Sequence, residues 1–217
     1  MWNWEKILFC KISYMNWYKG IDNGEVYKKD IPYSKNAYTM RTGHAGEEYN
    51  FKIQNLHGNE ACFGFVETKS TNGKEANQIH IENIIGCKDL KDEVMADDVL
   101  VVWFAPNPSK KNAISVVGWY KKAVVFREYQ SFDNIEYDVN ILAWANDCVL
   151  LPDGKRRRLE WKIPKSFNFG EAHVRYPKPE DKEYIIRLMN NINNYHGDNW
   201  LYRYPDKTKG ENNVYIT

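Results

Sequence analysis

Short apolar runs recur along the chain, and clusters of Gly, Asn, Asp and Pro separate them. Each run is rich in β-branched and aromatic residues, which is typical of the strands of a sandwich or barrel. The pattern predicts eight strands, over residues 6–13, 49–54, 61–68, 78–81, 99–105, 114–120, 123–129 and 138–143. Eight strands in one domain favour a closed sheet, so the predicted class is mostly β (α+β).

The run over residues 99–105 is apolar on both faces. Period-two alternation assigns one face to Val99, Val101 and Trp103, and the opposite face to Leu100, Val102 and Phe104. A strand that is apolar on both faces is expected at the centre of a sheet. With residues 114–120 it predicts a hairpin whose connecting loop is basic.

A helix is predicted near the C-terminus, over residues 179–196. Its start is marked by Pro179 with acidic residues in the first turn, and its end by Gly197. Helical spacing places on one face the apolar residues Tyr184, Ile185, Leu188, Met189, Ile192 and Tyr195. Residues 90–95 predict one further helical turn. The polar segment 198–217 is expected to be an irregular tail, so the domain division is 1–176 for the β domain and 177–217 for a helix and tail packed on it or leaving it.

Charge and cysteine content exclude several classes of protein. The formal net charge is +1, so affinity for phosphate has to come from local clusters of Lys and Arg. The four cysteines are far apart in mostly apolar runs and are expected to be buried free thiols. No CxxC pair or His pair at ligand spacing occurs, so we expect neither metal nor cofactor. No apolar run reaches the length of a membrane span, and the N-terminus is too polar for a signal peptide, which predicts a cytoplasmic protein without a membrane partner.

Aromatic residues make up 15% of the chain, and several are bunched where the first strand ends. The bunch contains Tyr14, Asn16, Trp17, Tyr18 and Lys19. Flat rings can stack on a base, an amide can read its edge and a lysine can meet phosphate. Trp103 and Trp119 are further candidates for a ring-lined cavity. The structural alternative is that all these rings fill the interior.

Basic residues that could meet phosphate fall in three further places. They are Lys110 and Lys111 in the predicted hairpin loop, Lys121 and Lys122 after the following strand, and Arg156 and Arg157 in the cationic run 155–158. Such clusters can bind phosphate, and they can equally be a solvated strand edge protected from aggregation.

One pattern points to an enzyme. Asp153, Glu160 and Lys162 formally match the carboxylates and lysine of Mg²⁺-dependent nucleases, and Glu67 and Lys69 repeat part of the pattern. The first two carboxylates are close in sequence with a basic run between them, and such short patterns arise by chance. The expectation is a binding domain and not an enzyme, with the nuclease as the alternative.

Three segments carry a resemblance to a known family: residues 7–18, the strand DDVLVVWF at 97–104, and VVGWYKKA at 116–123. A late motif pairs Phe169-Gly170 with Arg175-Tyr176. Together they resemble the PUA-like superfamily, in particular its EVE and YTH-like branch, over residues 6–176. Within that branch the chain is similar to domains that precede HNH nucleases and occur in modification-dependent restriction proteins.

The resemblance implies a PUA-like twisted β-barrel with short flanking helices and a C-terminal amphipathic helix. It also implies an aromatic cage for a flipped, methylated base, with DNA favoured over RNA as the target. It further implies a place in a restriction-type system beside a nuclease domain or subunit. His44 joins the candidate base-binding residues because residues 44–51 look like an expanded Gly-His motif of the branch. A protein-interaction domain with an aromatic surface is the third hypothesis.

Overall fold

The computed structural model describes residues 4–22, 25–27, 46–68, 78–106, 113–133, 135–164, 167 and 172–209. Strands predominate, and most belong to one large mixed sheet. The strands are β1 (Ile7–Lys11), β2 (Ile21–Asp22), β3 (Glu25–Tyr27), β4 (Ile53–Leu56), β5 (Asn59–Gly64), β6 (Met95–Pro106), β7 (Ile114–Gln130), β8 (Val139–Trp144), β9 (Cys148–Leu150), β10 (Val174–Arg175) and β11 (Lys207–Lys209).

The large sheet has the order β10-β1-β6-β7-β8-β5-β4, with β9 paired to β7. Only β1 and β6 run parallel among these pairs, with Ile7 opposite Leu100 and Lys11 opposite Phe104. A second, small sheet has the order β11-β3-β2. No pairing joins β10 to β4 in the described part of the chain, so the large sheet is not closed there.

The centre of the sheet is formed by β6 and β7, as the two apolar faces of residues 99–105 predict. Strand β7 contains both predicted strands 114–120 and 123–129 as one element. Its first part pairs with β9 and its second part with β8. Lys122 lies between these parts in a left-handed conformation with a φ of 50°, at an irregularity in the pairing with β6, where Val99 is opposite Ala123 and Val101 is opposite Tyr120.

Two cores lie on the two faces of the central strands. One includes Val99, Val101 and Trp103, and the other Leu100, Val102 and Phe104, so the predicted alternation is confirmed. The four cysteines are buried free thiols, as expected. Burial raises the pKa of Cys10 and of Cys148, which keeps these thiols protonated and poorly reactive.

The C-terminal helix is confirmed and covers the second core. A 3-10 turn at Pro179–Asp181 leads into α2 (Lys182–Asn193), following the short α1 (Asp153–Arg156). The buried residues of α2 are Ile185, Leu188, Met189 and Ile192. No helix of the described residues is long and apolar enough to cross a membrane.

The remaining differences from the predicted elements concern short segments. Residues 78–81 form no strand but lead into the 3-10 helix Ile81–Asn83, and residues 90–95 turn before β6 begins at Met95. The strand expected from residue 49 begins at Ile53, because Gly46–Tyr49 is a 3-10 helix. Further 3-10 helices are Ile85–Cys87, Ala145–Asp147, Leu159–Trp161 and Trp200–Tyr202.

The segment after α2 is anchored to the fold at several points. Leu201 is fully buried in the first core. The Asn199 side chain accepts a hydrogen bond from the Leu150 amide (3.0 Å) and donates one to the Cys148 carbonyl (2.9 Å). Strand β11 pairs with β3. Residues 199–209 are therefore a docked part of the fold and not the irregular tail that their polar composition predicts.

Candidate functional site

The two tryptophans predicted to line a cavity lie in different cores. Trp103 is fully buried in the first core, where its indole packs edge-on against Tyr120 at 5.3 Å between ring centroids. Trp119 is buried in the second core and stacks on Trp161 at 5.3 Å. The sheet separates the two indoles, so they do not form the walls of one base-binding slot.

Tyr14 and Tyr18 are also buried, and their hydroxyls stabilise the turn after β1. The Tyr18 hydroxyl donates to the Ser13 carbonyl (2.8 Å) and accepts from the Met15 amide (3.1 Å). The Tyr14 hydroxyl donates to Asp153, and its burial raises its pKa to about 12. Both rings are structural in this arrangement, as the interior-filling alternative for this bunch predicts.

Two of the predicted phosphate-binding cations are buried. Lys19 is 1% exposed, and its Nζ donates to the carbonyls of Phe51 and Leu201, at 2.5 Å each. Arg156 is fully buried and donates to the carbonyls of Leu151, Met15 and Asn16. Both cations are therefore buried and donate to carbonyl oxygens. The prediction that Lys19 and Arg156 bind phosphate is wrong.

The other predicted cations are nearer the surface. Lys122 is exposed and lies 3.5 Å from Asp147, and Arg157 lies 2.6 Å from Asp153. Lys121 is half-buried, and burial lowers the pKa of its ammonium. Lys110, Lys111 and His44 lie outside the described residues.

Asn16 and Trp17 are the half-buried members of the predicted aromatic bunch. The Trp17 ring stacks on Trp200, with centroids 4.0 Å apart and planes inclined by 10°. Sequence reasoning missed Trp200, because it lies in the segment predicted to be an irregular tail.

The residues of the nuclease alternative have other contacts. Both oxygens of Asp153 are taken, one by the Tyr14 hydroxyl and one by Arg157. Glu160 is exposed in its 3-10 helix, and Lys162 forms an isolated β-bridge with Ser115. Across the described ranges, no three His, Cys, Asp or Glu side chains are grouped to hold a metal. This geometry does not favour a Mg²⁺ site at Asp153.

A different set of residues converges where β1 ends, and we call it the β1-exit cluster. It consists of Ser13, Glu47, Phe65, Glu67, Tyr129 and His173. At its centre the Ser13 amide donates to Oε1 of Glu47 at 3.1 Å. The Glu47 carboxyl is 8% exposed, and burial raises its pKa above the ordinary value.

The electrostatic surroundings of Glu47 are unusual for a buried acid. The charged side chain that acts on it is Glu67, a second carboxylate, which raises its pKa further. Within the described residues, no lysine, arginine or histidine forms an ion pair with Glu47. Buried acids without a cationic partner are costly, and perturbed acids concentrate at functional sites.

An aromatic ring packs against Gly46, the residue that precedes this acid. The Phe65 ring packs on Gly46, where a Cβ atom would stand 2.8 Å from the ring, so only glycine fits there. Phe65 stacks on Tyr129 with ring centroids 5.4 Å apart, and both rings are half-buried. The buried Asn50 fixes the backbone of Phe65 by donating to its carbonyl and accepting from its amide.

A contact between His173 and Glu67 borders the cluster on the side of β10. His173 Nδ1 lies 3.1 Å from Oε2 of Glu67, and the His173 carbonyl accepts a hydrogen bond from the Lys11 amide at 2.7 Å. The side chains are 24% and 47% exposed for His173 and Glu67. The cluster thus combines a buried hydrogen-bond acceptor, two half-buried rings and a polar border.

The motif predicted over residues 44–51 contains Glu47, but the sequence pattern assigned no role to this acid. The available signal was a pair of acids, Glu47 and Glu48, directly before the aromatic pair Tyr49 and Phe51. The comparisons with family models, curated proteins and solved structures give no match to this chain. The geometry of its own residues is therefore the basis for a functional assignment.

Proposed function

We propose that this chain is a nucleic-acid-binding module that takes an extruded, modified base at the β1-exit cluster. The observation that carries the proposal is the burial of the Glu47 carboxyl without a cationic partner in the described residues, in a cluster that also contains the half-buried rings of Phe65 and Tyr129. The module binds and does not cut, so any cleavage belongs to a nuclease domain or subunit that acts with it.

The carboxyl supplies the chemistry for reading a base edge. A carboxylate accepts hydrogen bonds and is used to contact the exocyclic amine of cytosine. Ser13 already donates to Glu47, and a base that donates further N–H groups would lower the cost of burying this charge. Because its pKa is raised, the carboxyl can also donate when protonated, to a ring nitrogen or a carbonyl.

The rings supply the contact with the face of the base. Stacking on an aromatic side chain is worth about 1–3 kcal/mol per base. Phe65 and Tyr129 are stacked and half-buried, and Asn50 and Gly46 fix the position of Phe65. A rigid ring needs little ordering on binding, which favours affinity.

The resemblance of residues 6–176 to the PUA-like superfamily supports the same assignment. The proposal therefore includes the finer fold, a PUA-like twisted barrel of the EVE and YTH-like branch with a C-terminal amphipathic helix. It also includes a role as the specificity domain of a restriction-type system that reads methylated DNA. The β1-exit cluster lies at the end of the first strand, where that branch keeps its pocket.

The test compares duplexes that carry one methylated cytosine or one methylated adenine with the unmodified duplex. We expect the parent chain to prefer one modified duplex, and Glu47→Gln to lose that preference, since an amide presents a different hydrogen-bond pattern. Phe65→Ala should weaken binding by roughly 1–3 kcal/mol. Electrophoretic shifts at fixed salt give these affinities.

Glu183→Gln is the matched control, because it removes one exposed carboxylate on α2, outside the cluster. Thermal melting of each variant verifies that the fold is retained. If Glu47→Gln discriminates between the duplexes as the parent does, the cluster does not read the base. If the parent binds no duplex at low salt, the assignment as a nucleic-acid module is wrong.

A further inference from the structure

We infer that the docked C-terminal segment forms a second nucleic-acid contact, a stacking platform for unpaired nucleotides. The platform consists of Trp17, Trp200, Tyr202 and Tyr204, with Lys121 and Lys122 beside it. It lies outside the β1-exit cluster, and the argument for it does not depend on the base-reading proposal.

The platform is held rigidly on the sheet. Asn199 bonds to both Leu150 and Cys148, and Leu201 is buried between the half-buried Trp200 and the exposed Tyr202. Lys19 donates to the Leu201 carbonyl, and its Nζ lies 4.7 Å from the centre of the Tyr204 ring. A buried lysine thus connects the turn after β1 to the aromatic segment.

Two rings of this segment are exposed to solvent. Tyr202 is 48% exposed and Tyr204 is 52% exposed. Trp17 and Trp200 stack on each other and are half-buried. Successive aromatic residues on a rigid surface are the arrangement on which unpaired bases stack, because every base has a π face.

Cations border the platform through the turn Ala145–Asp147. The Tyr202 hydroxyl donates to the Asn146 side chain at 3.2 Å, and the adjacent Asp147 lies 3.5 Å from Lys122. Asp147 also acts on Lys121, which opposes the lowering of its pKa by burial. Exposed ion pairs of this kind are weak, so a phosphate can compete with Asp147 for these ammonium groups. Rings beside lysines fit single-stranded nucleic acid better than a purely apolar protein surface.

The test uses a fluorescent single-stranded thymidine oligonucleotide, followed by anisotropy at low salt. Thymine has no exocyclic amine and the strand has no modified base, but its N3–H could still donate to Glu47, so the Glu47→Gln variant is measured on the same strand. We expect the double variant Tyr202→Ala, Tyr204→Ala to raise Kd by about ten-fold or more, from the stacking of two bases. The double variant Tyr202→Phe, Tyr204→Phe keeps the rings and should bind as the parent does.

Two further comparisons separate this proposal from the base-reading one. Lys122→Ala should weaken oligonucleotide binding and reduce its salt dependence, whereas the exposed Lys88→Ala should do neither. Glu47→Gln should leave binding of the thymidine strand unchanged. The platform is refuted if the parent does not bind the strand, if the alanine double variant binds as tightly as the parent, or if the phenylalanine variant loses binding equally.

Discussion

Arg156 and Arg157 are adjacent in sequence, and their substitution separates a structural cation from a surface cation. Arg156 is fully buried, and its guanidinium donates to carbonyl oxygens at 2.7, 2.6 and 2.7 Å. The Leu151 carbonyl lies just before α1, and the carbonyls of Met15 and Asn16 lie in the turn after β1. Arg157 has a side chain that is 52% exposed and one ion pair, to Asp153. We predict that Arg156→Met destabilises the fold strongly and Arg157→Ala does not.

The magnitudes follow from these contacts. Methionine keeps much of the apolar stem but leaves three carbonyls without a donor. Hydrogen bonds to a charged group contribute about 1.5–3 kcal/mol each, but their effects are not additive and the buried charge itself is costly. We therefore expect a loss of about 3–5 kcal/mol in the free energy of unfolding. For Arg157→Ala, an exposed pair at i,i+4 spacing, we expect a loss of about 0.3–0.5 kcal/mol.

Urea unfolding of the parent and both variants measures these free energies by linear extrapolation. Binding of duplex DNA is measured on the same samples, below the unfolding transition. If Arg156→Met costs less than about 1 kcal/mol and yet weakens DNA binding, Arg156 contacts phosphate and the structural role is refuted. An equal loss of stability for both variants would also contradict the reasoning.

Two further predictions concern buried charges near the candidate sites. Burial raises the pKa of Glu47, so between the two pKa values the folded protein holds a proton on this carboxyl that the unfolded chain has released. The contribution of Glu47 to stability therefore falls as pH rises from about 4.5 through the folded pKa. Glu47→Gln should therefore gain stability over the parent as pH rises, by at most about 1.4 kcal/mol for each pH unit. Urea unfolding at several pH values measures this gain, and a pH-independent difference would contradict the burial of this acid. Lys19→Met leaves the carbonyls of Phe51 and Leu201 unpaired and should cost about 2–4 kcal/mol. Hydrogen exchange of residues 199–209 should rise together with that loss, and unchanged protection would show that Lys19 does not hold the segment.

Much of the β architecture could be predicted from the sequence. Alternation identified 99–105 as a central strand because both of its faces are apolar, and both do face cores. Helical spacing with Pro179 at the start located the C-terminal helix. The cysteines lie in apolar runs, and they are buried free thiols. These features depend on local periodicity, which a single sequence contains.

Features that depend on contacts distant in sequence could not be predicted. Lys121 and Lys122 divide two apolar runs, yet β7 passes through them because β6 pairs with β7 on both sides of these lysines. The segment 199–209 is polar in composition, and its docking depends on Asn199 and Leu201 meeting β9 and the core. No periodic pattern distinguishes such a segment from a free tail.

The candidate site shows the same limit. An aromatic residue in a strand can line a pocket or fill a core with the same sequence pattern, so Trp103 and Trp119 could not be assigned before their cores were known. A charged residue such as Arg156 carries no sign of burial when three other cations adjoin it. Glu47 is recognised as part of a site only through the hydrogen bond from the amide of Ser13, which lies 34 positions away in the sequence.

A crystal structure of this chain bound to a duplex that carries the preferred modified base would show directly whether the β1-exit cluster reads the base. We predict that the base is rotated out of the duplex, with its edge about 3 Å from a carboxyl oxygen of Glu47 and its face against Phe65 or Tyr129. If the modified base stays stacked in the duplex, or lies elsewhere while Glu47 keeps only its contacts with Ser13, the β1-exit cluster does not take an extruded base.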